Sequence, residues 1–144
     1  MPIDNKCLTP KIVYQADVRD DTNDEKKFYL GVSETPFKER FRNHKKEFAH
    51  KKYRNSTELS KYIWQLNDAN ITPIVTWKVV AKVFSDTKIN FCKLCLTEKV
   101  FIINVLNDSQ LLNRKSELIN TCRHQNKLLL KCFKRNNKRH DSMD

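Results

Sequence analysis

Glycine is almost missing from this chain: a single residue, Gly31, serves 144 positions. A chain this sparing places its glycine where a side chain cannot be tolerated, such as a strand that another group must approach closely. Long apolar runs are missing as well. The most apolar stretch, residues 100–106, falls far short of the ~20 residues that cross a bilayer, and no secretory signal opens the chain. Together these absences exclude a membrane span and predict a soluble, intracellular protein. Acidic residues are scarce beside basic ones, 17 against 28, which leaves a formal net charge of +11. A surface of that sign attracts polyanions and releases counterions on binding them, so nucleic acid is the expected partner. Cysteine is present five times. An odd count without an export signal argues for reduced thiols or metal ligands over a disulfide scaffold.

Enough apolar material remains for one compact domain, since 39% of residues are hydrophobic, and a disordered chain is excluded on that ground. Charge is distributed unevenly. Residues 38–54 carry eight Lys or Arg against two acids, whereas residues 17–25 hold five acids against one Arg. A charge run is usually only a solvated face, so the basic cluster matters chiefly because it contains Arg40 and His44.

Periodicity sets out the elements. Ile12, Tyr14, Ala16 and Val18 alternate along one strand, and Phe28, Leu30 and Val32 along a second, with the polar residues 20–27 joining them as a hairpin. Thr35-Pro36 reads as an N-cap followed by proline at the first helical position, and Phe37, Phe41, His44 and Phe48 fall on one helical face. Asn55 and Glu58 have the spacing of a capping box ahead of Leu59, Tyr62, Ile63 and Leu66. Residues 73–83 alternate Val75, Trp77, Val79, Ala81 and Val83 on one side of a third strand. Residues 93–106 form a third helix, and a last helix is expected over residues 116–133. The order β-β-α-α-β-α-α predicts an α+β domain over residues 1–133, with a three-stranded antiparallel sheet flanked by helices and a basic tail over 134–144. That tail suits a DNA backbone or a nuclear-import signal.

Three groups of residues carry chemistry. Arg40 and His44 are four apart and share a side of the first helix, with the imidazole turned inward. Such a histidine is either a hydrogen-bonded core residue or a partner to a phosphate-binding arginine. On the third helix Glu98 interrupts the apolar stripe of Leu94, Phe101 and Val105, and a charged carboxylate there costs several kcal/mol unless a cation meets it. Lys99 adjoins it but points elsewhere, so the cation is expected from Arg40, another strand, or a metal ion. Cys92-x-x-Cys95 and Cys122-x-His124 offer four ligands, the number of a tetrahedral structural zinc, with Cys7 as a substitute; buried reduced thiols are the plainer reading.

The order Tyr14, Tyr29-Leu30-Gly31, Arg40-x-x-x-His44, Glu98 and Asn113 resembles the GIY-YIG nuclease superfamily. Lys6-Cys7-Leu8-Thr9, Leu59-Ser60-Lys61-Tyr62-Ile63-Trp64, Cys92-x-x-Cys95-Leu96, Leu111-Leu112-Asn113-Arg114 and Cys122-Arg123-His124 are similar, more narrowly, to the endonuclease domain of Penelope-like retroelements. The resemblance implies hydrolysis of a DNA phosphodiester with a divalent metal, Mg²⁺ or Mn²⁺, in the nucleus, by a domain that relatives fuse to a reverse transcriptase. It assigns Tyr14 as general base, its pKa lowered by Arg40 and metal. Tyr29 positions phosphate or water, Arg40 stabilises phosphate charge, His44 bonds the nucleophile side, Glu98 holds the metal and Asn113 supports the site. The glycine of the first motif is replaced, leaving Lys11-Ile12-Val13-Tyr14. A silent nucleic-acid-binding module of the same fold is the alternative, and a zinc-stabilised protein interaction domain a third.

Overall fold

Alternating apolar residues at 12–18 commit that segment to the middle of the sheet, because both of its faces are buried. A computed structural model describes Ile3, Cys122 and residues 6–22, 24–84 and 92–119. Strand β1 (Ile12–Asp20) lies between β2 (Lys26–Ser33) and β3 (Pro73–Lys82) in an antiparallel sheet of order β2-β1-β3. Helices α1 (Phe37–Ala49), α2 (Glu58–Asp68) and α3 (Lys93–Asn104) complete an α+β domain. The fold class is that expected from the sequence.

Ile12, Tyr14, Ala16 and Val18 are fully buried against Phe37 of α1 and Leu59, Ile63 and Leu66 of α2. Burying aliphatic side chains of this size stabilises by about 1.5–3 kcal/mol each. This cluster is the principal core. The opposite face of the sheet carries a smaller one, in which Val13 and Val83 meet Leu94 and Phe101 of α3.

Helix ends depart from the sequence reading in two places. Thr35 does not cap α1; Pro36 is the N-cap residue, kept extended at ψ 136°. The Lys38 N–H instead donates to the Cys7 carbonyl at 2.8 Å, so the N-terminal segment supplies the cap. For α2 the cap is Thr57, whose Oγ1 accepts from the Ser60 N–H at 3.0 Å, and not Asn55. Glu58, freed from any capping box, pairs with Lys61 and Arg114, both at 3.1 Å. Asn70 ends α2 in the left-handed region, φ 59°, a conformation asparagine tolerates at a helix C-terminus.

β3 does not alternate strictly. Val13 pairs with Ala81 but Tyr14 with Val79, and this shift of register is a β-bulge that leaves Val80 over. Beyond it Ala81 and Val83 turn to the second face, where they join Val13, in place of continuing the side of Val75 and Trp77.

The outer edge of β2 is covered. Phe28 N–H donates to Gln110 at 3.0 Å and the Leu112 N–H to Phe28 at 2.8 Å, in a short parallel bridge. Asn113 extends it with its side chain, accepting from the Leu30 N–H and donating to the Leu30 carbonyl, both at 2.8 Å. An edge paired in this way cannot template association with another strand. Where a long last helix was expected from residue 116, a 3-10 turn, Lys115–Ile119, follows. The remainder of that expected helix and the tail 134–144 lie outside the described residues. No described helix is long and apolar enough to cross a membrane.

Candidate active site

Four of the six residues singled out for catalysis meet on the α1 face of the sheet. Tyr14 sits beside the bulge, opposite Gly31 in β2, with its side chain fully buried. Its hydroxyl lies 2.6 Å from His44 Nε2 and accepts from Arg40 Nε at 3.1 Å. Spacing on α1 explains the pair: Arg40 and His44, one turn apart, straddle the phenol oxygen. Tyr29, on the neighbouring strand, turns its ring edge toward His44, with centroids 6.4 Å apart.

Gly31 makes room for this arrangement. A Cβ there would stand 2.5 Å from the Tyr14 hydroxyl oxygen, 2.6 Å from Cζ and 3.0 Å from Tyr29 Cε1. Its φ is not positive, so space, and not backbone freedom, is what the position requires. Lys11, just ahead of β1, does adopt a positive φ of 53°.

His44 is sealed among Phe48, Tyr14 and Trp77, ring centroids 5.3–5.8 Å away. Burial lowers its pKa and Arg40 pushes the same way, while Glu47 opposes them. Glu47 Oε2 is the polar atom facing His44 Nδ1, 3.3 Å away, an ion-pair distance at which the ring N–H is not aligned for a full hydrogen bond. Ser60, itself fully buried, holds that carboxylate by donating from Oγ at 3.0 Å. Burial alone would raise Glu47, but His44, Ser60 and Arg40 together hold it below the usual carboxylate range.

Arg40 alone does not make Tyr14 acidic. The phenol pKa is raised, because burial outweighs the lowering by Arg40. Tyr29 is raised further by burial and by the nearby Tyr14 and Glu117. Arg40 remains firmly charged: burial opposes it, but the two phenols and Glu47 more than offset that cost.

Glu98 projects from α3 into the same neighbourhood, near enough to act electrostatically on both phenols. Half-buried, it has its pKa pushed up to about 7 by desolvation and by Glu117, against the pull of Lys99 and then Arg40. Lys99 therefore contributes but does not neutralise it. Asn113 stands at the rear of the site, bonded to Leu30 and donating to Glu117 Oε2 at 2.6 Å.

Outside the buried centre, Arg40, Asn43, Lys46, Glu47 and Tyr53 line a cleft of about 150 Å³. Hydrogen bonds from Lys46 and Lys52 lower the Tyr53 pKa, and both ammonium groups stand about 5 Å from its ring. The basic run of residues 38–54 thus forms one rim of the candidate site.

The thiols of Cys92, Cys95 and Cys122 lie within 4.8 Å of one another, an arrangement able to hold a metal ion. Cys92 caps α3 and Cys95 occupies its first turn, so the helix start aims both at one point. Burial, Cys122 and Cys92 raise the Cys95 pKa. Cys7 takes no part, since it sits in the principal core and donates to the Ile3 carbonyl at 3.4 Å. His124 lies outside the described residues.

Sequence reading missed Glu47, Ser60, Trp77 and Glu117. His44-x-x-Glu47 and Asn113-x-x-x-Glu117 have helical spacing that could have flagged the two acids. Nothing local ties Ser60 or Trp77 to Tyr14; tertiary packing does. No protein-family model matches the chain, and no curated protein or solved structure matches it.

Proposed function

We propose that this protein is a metal-dependent DNA endonuclease of the GIY-YIG kind, similar to the endonuclease domain of Penelope-like retroelements, which hydrolyses a phosphodiester bond and nicks target DNA. One observation carries the reading: a buried phenol oxygen held between an imidazole and a guanidinium, 2.6 and 3.1 Å away, beside a glycine that has no room for a side chain and near an under-neutralised carboxylate. A purely structural core seldom assembles that set. Perturbed titrating groups gathered in one place favour a functional site.

In this reading Tyr14 takes the proton of the attacking water and Tyr29 orients water or phosphate from the neighbouring strand. Arg40 spends Nε on Tyr14, which leaves its terminal NH₂ groups for phosphate oxygens. Tyr14 is sealed in the free protein, so engagement of phosphate draws the guanidinium outward and opens the phenol. Asn113 fixes β2 from behind.

Glu98 fits a divalent cation, Mg²⁺ or Mn²⁺, because burial and Glu117 leave it with too little positive charge nearby. Bound there, the ion supplies Lewis-acid polarisation of the phosphate and of the leaving 3′ oxygen. The three clustered thiols suit structural zinc with His124 as fourth ligand, which would tie the chain after the 3-10 turn Lys115–Ile119 to α3. A nick leaves a 3′ hydroxyl that a reverse transcriptase in a longer parent protein, working in the nucleus, could extend.

Supercoiled plasmid tests the proposal. The unmutated chain nicks it in Mg²⁺ or Mn²⁺, and Glu98→Ala or Tyr14→Phe abolishes nicking while DNA binding stays within a few fold. A chain that binds DNA with a steep salt dependence but never nicks is a silent binding module. Binding insensitive to ionic strength would mark a protein interaction domain.

A further inference from the structure

The nuclease reading leaves a difficulty in Tyr14. A phenol whose proton affinity is increased by burial is a poor base by itself, and of the two cations expected to correct this, Arg40 and a metal, Arg40 alone does not outweigh burial. The same pocket contains the remedy. Tyr14 Oη lies 2.6 Å from His44 Nε2, and on the other side of the ring Nδ1 faces Glu47 Oε2 at 3.3 Å. Glu47 is not adrift. Ser60 Oγ donates to the same Oε2 at 3.0 Å, and Thr57 Oγ1 in turn donates to Ser60 Oγ at 3.1 Å from the cap of α2. Carboxylate, imidazole and phenol are thus in series, braced by a second helix.

We infer that Glu47 is a positioning residue for the proposed reaction: its carboxylate, 3.3 Å from Nδ1, favours the Nδ1–H tautomer of His44 by charge, in a contact that tightens as the ring becomes cationic, so that Nε2 takes the Tyr14 proton as Tyr14 takes one from water. This rests on the nuclease reading and deepens it. The proton balance closes. The water O–H bond breaks and its proton goes to the Tyr14 oxygen; the proton already on that oxygen passes to His44 Nε2; hydroxide attacks phosphorus, the P–O3′ bond breaks, and the 3′ oxygen leaves and is protonated to the hydroxyl. Tyr14 ends neutral, so no free phenolate ever has to form in an apolar pocket. The imidazolium is formed facing a carboxylate that is ionised at neutral pH. The relay resets by running backward: His44 Nε2 returns its proton to the Tyr14 oxygen, which gives up its own to water or to the departing 3′ oxygen, and the Nδ1–H tautomer facing Glu47 is restored.

The groups that set the behaviour of His44 can be named element by element. Tyr14 faces it from β1 and Tyr29 from β2, α1 contributes Arg40 and Glu47, while β3 and α2 present the uncharged Trp77 and Ser60. Arg40 and burial favour the neutral ring, as a proton acceptor requires, and Glu47 alone favours the charged one. Removing the Glu47 charge should therefore move His44 protonation to lower pH.

Two measurements test the relay separately from the nuclease reading. Nitrogen-15 spectra of the histidines in the metal-free, DNA-free protein, with His44 assigned through His44→Gln, should show a neutral Nδ1–H tautomer at pH 7. An Nε2–H tautomer overturns the relay whether or not the chain cuts DNA. Kinetically, Glu47→Gln keeps an oxygen for Ser60 but loses the charge. It should slow nicking at saturating DNA by about tenfold or more, leave the DNA Kd within about twofold and shift the acid limb of the pH profile downward. A merely structural Glu47 would lose rate with the limb unmoved, and that result, or an unchanged rate, refutes the inference. If Glu47→Gln does not fold, Ser60→Ala, which loosens the carboxylate without removing it, should lower the same rate by a smaller factor with the limb shifted in the same direction. Absence of nicking by the unmutated chain is a failure of the nuclease reading, visible as such, and the relay then falls with it.

Discussion

Replacing Gly31 by alanine discriminates sharply, because the sign of the effect is at stake. In the middle of an ordinary strand, Gly→Ala stabilises by about 0.5–1 kcal/mol through lost backbone entropy in the unfolded chain. Gly31 has no positive φ to forbid the change. Here, however, the new methyl carbon would lie 2.5 Å from the Tyr14 hydroxyl and 2.6 Å from Cζ, where ordinary contact starts near 3.4 Å. The ring must retreat by about 0.9 Å, the difference of those distances. It has nowhere to go, being packed on Phe37 and Trp77 with centroids 5.1 and 5.9 Å away. Overpacking of this kind costs about 1–3 kcal/mol. A retreat of that size also breaks or stretches the hydrogen bonds to His44 and Arg40, each worth about 0.5–1.5 kcal/mol. Gly31→Ala should therefore destabilise by about 2–4 kcal/mol, read as a fall in the urea midpoint at constant slope. Nicking should drop about a hundredfold, since displacement near 1 Å suffices for that loss. In a Tyr14→Ala background most of the penalty should vanish, because the two closest atoms are gone and only Tyr29 Cε1, at 3.0 Å, remains tight. A Gly31→Ala protein as stable as the parent would refute the close packing on which the site depends.

Glu98 predicts a pH dependence of opposite sign to the usual carboxylate. Its folded pKa, about 7, lies above the reference 4.5, so the unfolded chain ionises first and metal-free stability falls as pH rises from about 4.5 to about 7. The loss is complete above that range and amounts to at most about 3 kcal/mol, less for the part that water screens. Glu98→Gln should flatten the slope in thermal melts, and Mg²⁺ should raise the melting temperature at pH 8 in the parent but not in the variant; an unchanged slope would contradict the burial of this acid. Asn113→Ala leaves the Leu30 N–H and carbonyl without partners and should cost about 2–3 kcal/mol by chemical denaturation, whereas a loss below about 0.5 kcal/mol would show that water replaces the side chain. For the thiol cluster, near one equivalent of zinc should survive dialysis and be lost in Cys95→Ser together with stability; less than half an equivalent in the parent disposes of the site.

Much of the fold was legible in local pattern. Alternation at residues 12–18 and 28–32, the apolar arc of Phe37, Phe41 and His44, and the odd carboxylate at Glu98 all follow from periods of 2 and 3.6, which any chain must obey to bury one face of a strand or helix. Gly31 and the two tyrosines could likewise be marked in advance, because a lone glycine between aromatics has few uses. Other features had no local signature. Thr57 was preferred over Asn55 as a cap because Ser60 lay within reach, and Cys7 took the role of capping α1 through its carbonyl. The bulge at Val80 arose from pairing across strands, which single-strand alternation cannot register.

What residue order alone determined is the architecture and part of the cast of the candidate site, Tyr14, Tyr29, Arg40 and His44, since patterning and side-chain type are written residue by residue. Tertiary structure decided the electrostatics. Whether Tyr14 is easy or hard to deprotonate, whether Glu98 is neutralised by its neighbours, and which helix braces the acid behind His44 depend on desolvation and on distances of a few ångströms between separate elements, and those quantities exist only once the chain has folded.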